Sequence, residues 1–368
     1  MSELKERLTR AGGAIDVDVE RELDDFHRSV HRRTRGRRWA TIAVAAAVAL
    51  VAGLAAWQLF PVGGATTSVG ATSEPAGRLA YTVVTVTADH QDGDVAIVDA
   101  GTGEVTPAGA GGHDDILPVW SPDGSQVAFL SDEGSTAESY QLFAMNADGS
   151  DRRQLAAGKF SSVAWSPDGT SLAAVGDNGG VSIVSVSGMG ESPSAGPAIE
   201  GNWDHVDWSP DGSLLLLSGY PAAGGNSGVP DLYTVTPDGR LLVQLTHDEQ
   251  SEQYAGWSPD GTRIVYMRNT SSDDFDPNAD IWVMHADGSD PVRLTDWQGF
   301  DGEPVWSPDG AWIAFGSDRE ATPEQQQAVA DGDAALGISL FVMDPEGGHV
   351  RLLVDAGDTG LFASSWTA

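Results

Sequence analysis

Residues 119–129, "VWSPDGSQVAF", read as the end of one strand, a tight turn and the start of another. Pro122 fixes its own φ, Asp123 draws backbone amides onto its side chain, and Gly124 accepts positive φ. The pentapeptide WSPDG begins at Trp120, Trp165, Trp208, Trp257 and Trp306, at intervals of 45, 43, 49 and 49 residues. One copy would mark a hairpin. Five copies at a near-constant period mark an architecture.

Each copy joins apolar, alternating segments: "ILPVW" to "QVAFL", "SVAW" to "SLAAV", "HVDW" to "SLLLL", "YAGW" to "RIVYM" and "EPVW" to "AWIAF". Each unit is then expected to carry a second hairpin, as in "QLFAMNADGSDRRQLA", "DLYTVTPDGRLLVQLT", "DIWVMHADGSDPVRLT" and "SLFVMDPEGGHVRLL". Four short strands per period, with no amphipathic helix between units, predict propeller blades rather than βαβ units. The turn residues Asp123, Gly124, Asp168, Gly169, Asp211, Gly212, Asp260, Gly261, Asp309 and Gly310 are expected to be structural. The same holds for Asp148, Asp238 and Asp287 in the second hairpins. The repeat tryptophans are expected to pack between blades.

The blade count follows from a sixth tryptophan. Trp366 lies 60 residues beyond Trp306, in "LFASSWTA" at the end of the sequence. What should follow such a strand is found instead at 78–106, "RLAYTVVTVTADHQDGDVAIVDAGTGEVT". The last strand is therefore expected to complete the first blade. That gives an all-β, six-bladed propeller over 78–368, a closed ring without a free sheet edge between its ends.

Upstream, "WATIAVAAAVALVAGLAAWQLF" (39–60) contains no charge and, as a helix, would extend about 33 Å, enough to cross a membrane. Five arginines, Arg32, Arg33, Arg35, Arg37 and Arg38, precede it, which predicts a cytoplasmic tail over 1–38 and an extracytoplasmic remainder. The expectation is a single-pass signal anchor in the cell membrane. A cleaved signal peptide is the competing reading, opposed by the long preceding segment and the lack of a clear cleavage motif. Residues 61–77, rich in Gly, Ala, Thr, Ser and Pro, read as a flexible linker.

Charge divides at the same point. Residues 1–38 hold ten basic and eight acidic residues, whereas 39–368 hold ten basic and 46 acidic, a net charge of −36. Such a surface repels nucleic acid and suits a polar or cationic partner, whether envelope protein, peptide or wall component. There is no cysteine, so disulfides, thiol nucleophiles and thiolate metal sites are absent.

"WSPDGSQVAFLSDEG" with "QLFAMNADGSDRRQLA" and its copies resembles the TolB-like, WD-type propeller repeat family. The likeness covers roughly 78–368 and implies a six-bladed extracytoplasmic module that binds proteins or acts as an accessory. It also resembles the propeller halves of prolyl-oligopeptidase-type enzymes, whose catalytic triad lies on a separate hydrolase domain. The sequence lacks the N-terminal α/β domain expected of TolB itself and carries the apolar segment in its place.

Signals for chemistry are sparse. There is no G-x-S-x-G elbow and no paired-histidine metal motif. His113, His205, His247, His285 and His349 are dispersed and read as solvated loop residues. In "RNTSSDDFDPNAD" (268–280), Asp274, Asp276, Asn278 and Asp280 alternate like the first oxygen ligands of a calcium loop, while Pro277 and the missing central Gly oppose that reading. No other cofactor is expected. The insertion 317–339 begins "TPEQQQAVA" like a helix, with Thr322 as cap, Pro323 at the first position and Gln325 at the third. The functional expectation is a non-catalytic binding or scaffold propeller tethered outside the cell. The alternatives are a hydrolase or lyase with a site in the central funnel, and a sensory ectodomain signalling to the cytoplasmic tail.

Overall fold

A computed structural model describes residues 74–86, 91–109, 112–134, 139–187, 199–222, 229–247, 249–269, 279–323, 325, 337–357 and 359–368. Every described residue belongs to one compact unit of the chain. The expected tail and apolar segment lie outside the described residues, and among the described ones no helix is long and apolar enough to cross a membrane.

Six antiparallel sheets follow one another. Blade 1 combines β1 (Arg78–Val86), β2 (Gln91–Asp99) and β3 (Val105–Pro107) with the last strand, β23 (Gly360–Thr367). Blade 2 is β4 (Asp115–Trp120), β5 (Gln126–Ser131), β6 (Gln141–Asn146) and β7 (Arg153–Ala156). Blade 3 is β8 (Phe160–Trp165), β9 (Ser171–Gly176) and β10 (Val181–Ser185). Blade 4 is β11 (Gly201–Trp208), β12 (Leu215–Pro221), β13 (Asp231–Val235) and β14 (Leu242–Gln244). Blade 5 is β15 (Glu252–Trp257), β16 (Arg263–Asn269), β17 (Ala279–His285) and β18 (Val292–Arg293). Blade 6 is β19 (Asp301–Trp306), β20 (Ile313–Ser317), β21 (Ser339–Met343) and β22 (Arg351–Val354).

The predicted closure is present: β23 pairs antiparallel with β1, Trp366 opposite Leu79 and Gly360 opposite Val84. Blade 3 departs from the four-strand expectation. Among the described residues it has three strands, and only an isolated bridge between Val181 and Ile199 continues the sheet. Within the segment read as a linker, Glu74 pairs with Arg351 at 2.6 Å and the Ala76 carbonyl accepts the Trp366 indole N–H at 2.9 Å.

The strand ending in each repeat tryptophan begins its sheet, and these six strands (β23, β4, β8, β11, β15 and β19) touch one another in sequence around the ring. They are the innermost strands. Trp120 packs with Ala80, Val95 and Ile97 of blade 1 as well as Val127 and Phe129 of its own blade. Trp165 packs on Ala128, Leu142 and Ala144, Trp208 lies against the blade 3 residues Ala173 and Val175, and Trp257 packs on Leu216 and Leu232. Trp306 packs on Val265 and Ile281, and Trp366 on Ala314 and Leu340. The hydrophobic core is thus distributed between blades, as a short sheet unable to bury both faces alone requires.

The WSPDG turns are self-contained. In the first, Asp123 Oδ1 accepts from Ser121 Oγ at 2.7 Å, Ser125 N at 3.0 Å and Ser125 Oγ at 2.7 Å. Asp168, Asp211, Asp260 and Asp309 repeat the pattern with Ser166, Ser209, Ser258 and Ser307. Gly124, Gly169, Gly212, Gly261 and Gly310 have φ between 66° and 71°. A side chain at Gly169 would have to sit against Pro122 of the preceding turn, so successive turns stack blade on blade. Asp148, Asp238 and Asp287 likewise accept from Ser150, Thr236 and Ser289 within their own turns.

Candidate functional site

A strand beside the axis cannot stay regular while its twisted sheet fans outward, and a bulge absorbs the mismatch. Every inner strand shows a shifted register where it meets its neighbour: between Ile116 and Val119, Phe160 and Ser162, Trp203 and His205, Gln253 and Gly256, Gly302 and Val305, and opposite Ala80–Tyr81 for β23. At three bulges the residue three before the tryptophan has a left-handed backbone: Leu117 (φ 52°), Tyr254 (φ 50°) and Glu303 (φ 53°). Extra backbone N–H groups left by the bulges are met by side chains of the preceding blade. Thr82 Oγ1 accepts from Leu117 N at 3.0 Å, Ser162 Oγ from Val206 N at 3.2 Å, and Asp207 Oδ2 from Trp257 N at 2.9 Å.

The position three before the tryptophan carries Leu117, Ser162, His205, Tyr254, Glu303 and Ala363 in successive blades. Three consecutive members, His205, Tyr254 and Glu303, are titratable and stand at matching positions on neighbouring inner strands. His205 Nδ1 lies 3.4 Å from Ser162 Oγ, its ring centroid is 5.7 Å from that of Tyr254, and Tyr254 in turn feels the charge of Glu303 and Asp204. Glu303 is buried, and its Oε2 has no hydrogen-bond partner among the described residues.

Burial sets the protonation of this group. It pushes the Glu303 carboxyl up to about 8 and the Asp207 carboxyl up to about 6, the latter opposed by the backbone amides of Trp257 and Trp208. It pulls His205 down to about 4, against a hydrogen bond to the Ala255 backbone. The Tyr254 phenol rises well above its ordinary value, first through burial and then through the neighbouring carboxylates. At neutral pH the imidazole is uncharged. Ser162 is not an activated nucleophile: it is buried, and its oxygen accepts the Val206 amide.

His205 therefore corrects the reading of the histidines as solvated loop residues, because it lies within β11 against two neighbouring inner strands. The other four fit that reading more closely. His247 is exposed, His113 and Asp132 are 3.5 Å apart in a loop, His285 ends β17 close to Asp290, and the half-exposed His349 lies 2.7 Å from Asp344 within a turn. Of the calcium-loop candidates, Asp274, Asp276 and Asn278 lie outside the described residues. Asp280 lies at the start of β17, where its Oδ2 accepts from Arg293 at 2.7 Å, so a role in cation binding would require it to release that arginine. Among the described residues no three acidic or histidine side chains are grouped as metal ligands. Thr322 N donates to Gln325 Oε1 at 2.7 Å and Gln325 N to Thr322 Oγ1 at 3.2 Å, the reciprocal bonds of a capping box, while the rest of the expected helix lies outside the described residues.

Two shallow clefts lie elsewhere, between adjacent WSPDG turns. One, of about 330 Å³, is lined by Pro259, Asp260, Arg263 and Asp309; the other, of about 390 Å³, by Pro210, Asp211, Trp257 and Asp287. Their carboxylates already accept hydrogen bonds within their own turns.

Among known proteins, a family model described as the TolB beta propeller domain matches residues 74–259. No curated protein matches the chain. In solved structures the fold is similar to TolB from Acinetobacter baumannii, with a TM-score of 0.61 at 17% identity, covering 80% of this chain and 67% of that one. It is also similar to a putative TolB from Agrobacterium tumefaciens, with a TM-score of 0.54 at 21% identity, covering 80% and 100%. Hydrazine synthase from Kuenenia stuttgartiensis gives a TM-score of 0.55 at 14% identity, covering 78% and 46%. Such identities speak for the fold, which serves unrelated functions. Five WSPDG turns, six blades closed by the last strand and the match over 74–259 lead to one assignment: the chain belongs to the TolB beta propeller domain family.

Proposed function

We propose that this propeller is a binding module, tethered at the cell envelope by its 39–60 segment, that receives a polar or cationic protein partner at the inner-strand ring. One observation carries the reading: His205, Tyr254 and Glu303 occupy matching positions on three successive inner strands, and among the described residues a buried Glu303 oxygen has no hydrogen-bond partner. Charge supports it. Seven of the ten basic residues in 39–368 are in ion pairs within the fold: Arg152, Arg153, Arg240, Arg268, Arg293, Arg319 and Arg351. Little positive charge is left to offset the acidic surface, so a cationic surface would be drawn to it from a distance and salt would weaken the attraction.

The test is capture from an envelope extract by the full-length protein in non-ionic detergent, at low and high salt. Asp204→Arg reverses the charge of an exposed inner-strand residue, and Leu241→Arg serves as a control beside the outermost strand of blade 4. The reading predicts a protein retained at low salt by wild type and Leu241→Arg, and lost with Asp204→Arg or high salt. Equal retention by all three at both salts would overturn it.

A further inference from the structure

The geometry points to a socket for one cationic side chain at the inner-strand ring, in which Glu303 is the counter-ion and the Tyr254 ring a wall. This rests on the partner-binding reading and names the group that the partner would insert, a lysine ammonium or arginine guanidinium.

The inner strands β4, β8, β11, β15, β19 and β23 contain six carboxylates and no lysine or arginine. Three of the six have arginine counter-ions supplied from elsewhere in their own blades: Asp115 with Arg152 at 2.7 Å, Glu252 with Arg268 at 3.3 Å, and Asp301 with Arg319 at 2.7 Å. All three stand five residues before the repeat tryptophan, where the strand begins. Glu303 stands two residues further along its strand than Asp301, and among the described residues no arginine pairs with it. It is 6% exposed, yet Oε2 meets no donor among the described residues. A buried acid lacking a donor is costly, and a fold that needed only packing there would place an apolar residue, as it does with Leu117 and Ala363 in blades 2 and 1.

The neighbours suit an organic cation. Tyr254 and His205 present aromatic rings with centroids 5.7 Å apart on the adjoining strands, and a phenol ring beside a carboxylate is the combination that holds an ammonium or guanidinium by charge and by its π-face. The uncharged His205 adds no repulsion. With the socket empty, burial keeps Glu303 largely protonated at neutral pH, and an arriving cation restores the carboxylate. Asp204, exposed at the preceding position of β11, places further negative charge by the ring, where Gln253 Nε2 donates to it at 3.3 Å.

The experiment is calorimetric titration of the full-length protein in non-ionic detergent, at mildly alkaline pH, with Nα-acetyl-lysine methylamide. Its Nε-acetylated derivative has the same length and no charge. Wild type is expected to bind the charged compound at least about tenfold tighter than the neutral one, and Glu303→Gln to lose that preference. Tyr254→Leu keeps the carboxylate and removes the ring, and is expected to weaken charged binding several-fold. Far-UV circular dichroism confirms that each variant is folded. Equal affinity for the two compounds, or an unchanged preference in Glu303→Gln, overturns the socket. If the socket fails while Asp204→Arg still abolishes partner capture, the binding-module reading stands without it. If capture also survives Asp204→Arg, both fall.

Discussion

Arg319 Nη2 donates to both carboxylate oxygens of Asp301, at 2.8 and 2.7 Å, while its guanidinium lies 5.3 Å from the Phe315 ring and 5.0 Å from that of Phe341. The relationship recurs. Arg152 forks onto Asp115 at 2.7 and 2.8 Å above Phe129 and Phe143, and Arg268 meets Glu252 beside Trp282. Each pair ties the start of an inner strand to the aromatic layer of its own blade. The arginines come from different places in the repeat: the second hairpin of blade 2, the second strand β16 of blade 5 and the residues just after the second strand β20 of blade 6.

Asp301 is fully buried and Arg319 is 19% exposed, and burial raises the Asp301 carboxyl against the pull of Ser317 and Arg319. Removing the arginine strands a charge rather than merely losing a contact. Arg319→Ala is expected to destabilise the propeller by about 3–5 kcal/mol in urea unfolding followed by tryptophan fluorescence. Arg293→Ala should cost less, because Arg293 is 42% exposed and water can replace it at Asp280.

Ring closure depends on a contact spanning 290 residues, from the Trp366 indole N–H to the Ala76 carbonyl. Trp366 also fills the space between blades 6 and 1, against Trp312, Ala314 and Leu340. Trp366→Ala should therefore cost about 3–5 kcal/mol, comparable with Trp306→Ala inside the continuous part of the ring. Urea midpoints of the two variants provide the comparison. A much smaller effect at Trp366 would mean that the ring does not need its closing blade.

The turn aspartates make the fold acid-sensitive. Hydrogen bonds from Ser121 and Ser125 hold Asp123 down at about 2, and Ser258 and Thr262 do the same for Asp260. A carboxyl lowered in the folded state adds stability above its unfolded value of 3.8, and that stability disappears as pH falls through the folded value. His205, lowered to about 4, works in the same direction between 6.5 and 4, since the unfolded chain binds its proton more readily. Thermal midpoints should fall steeply as pH drops from about 4 towards 2, and Asp260→Asn should reduce that slope.

Glu303 and Asp207 act with the opposite sign. A carboxyl raised on folding to about 8 leaves its full contribution below the unfolded value of 4.5 and loses it as pH climbs to 8. Glu303→Gln should thus be more stable than wild type in alkaline solution, by something on the order of a few kcal/mol, with little difference at pH 4.5. Thermal melts across that interval test it. An equal effect at both ends would show that Glu303 is not desolvated.

The blades could be read from the chain because turn chemistry and alternation are local: Pro122, Asp123 and Gly124 do at their own positions what their residue types favour. Even the closure was readable, since Trp366 lacked a following turn that residues 78 onward supplied. The ring of His205, Tyr254 and Glu303 was not found, although its signal was present. Aligning the repeats on their tryptophans places Leu117, Ser162, His205, Tyr254, Glu303 and Ala363 in one column, and the polar run in it stands out. Each residue alone looks like an ordinary member of a strand, and the contacts that unite them cross blades 43 to 49 residues apart in sequence. The arginine anchors were hidden for a related reason, as convergence from different elements leaves no fixed spacing.

Site-directed photo-crosslinking in intact cells tests the central claim most directly. A benzophenone side chain replaces Gln253 on the inner strand β15 or Leu242 on the outer strand β14. The account predicts a discrete crosslinked protein from position 253 and none from position 242. A crosslink from position 242 alone would contradict it, and would place recognition on the rim of the propeller rather than at its axis.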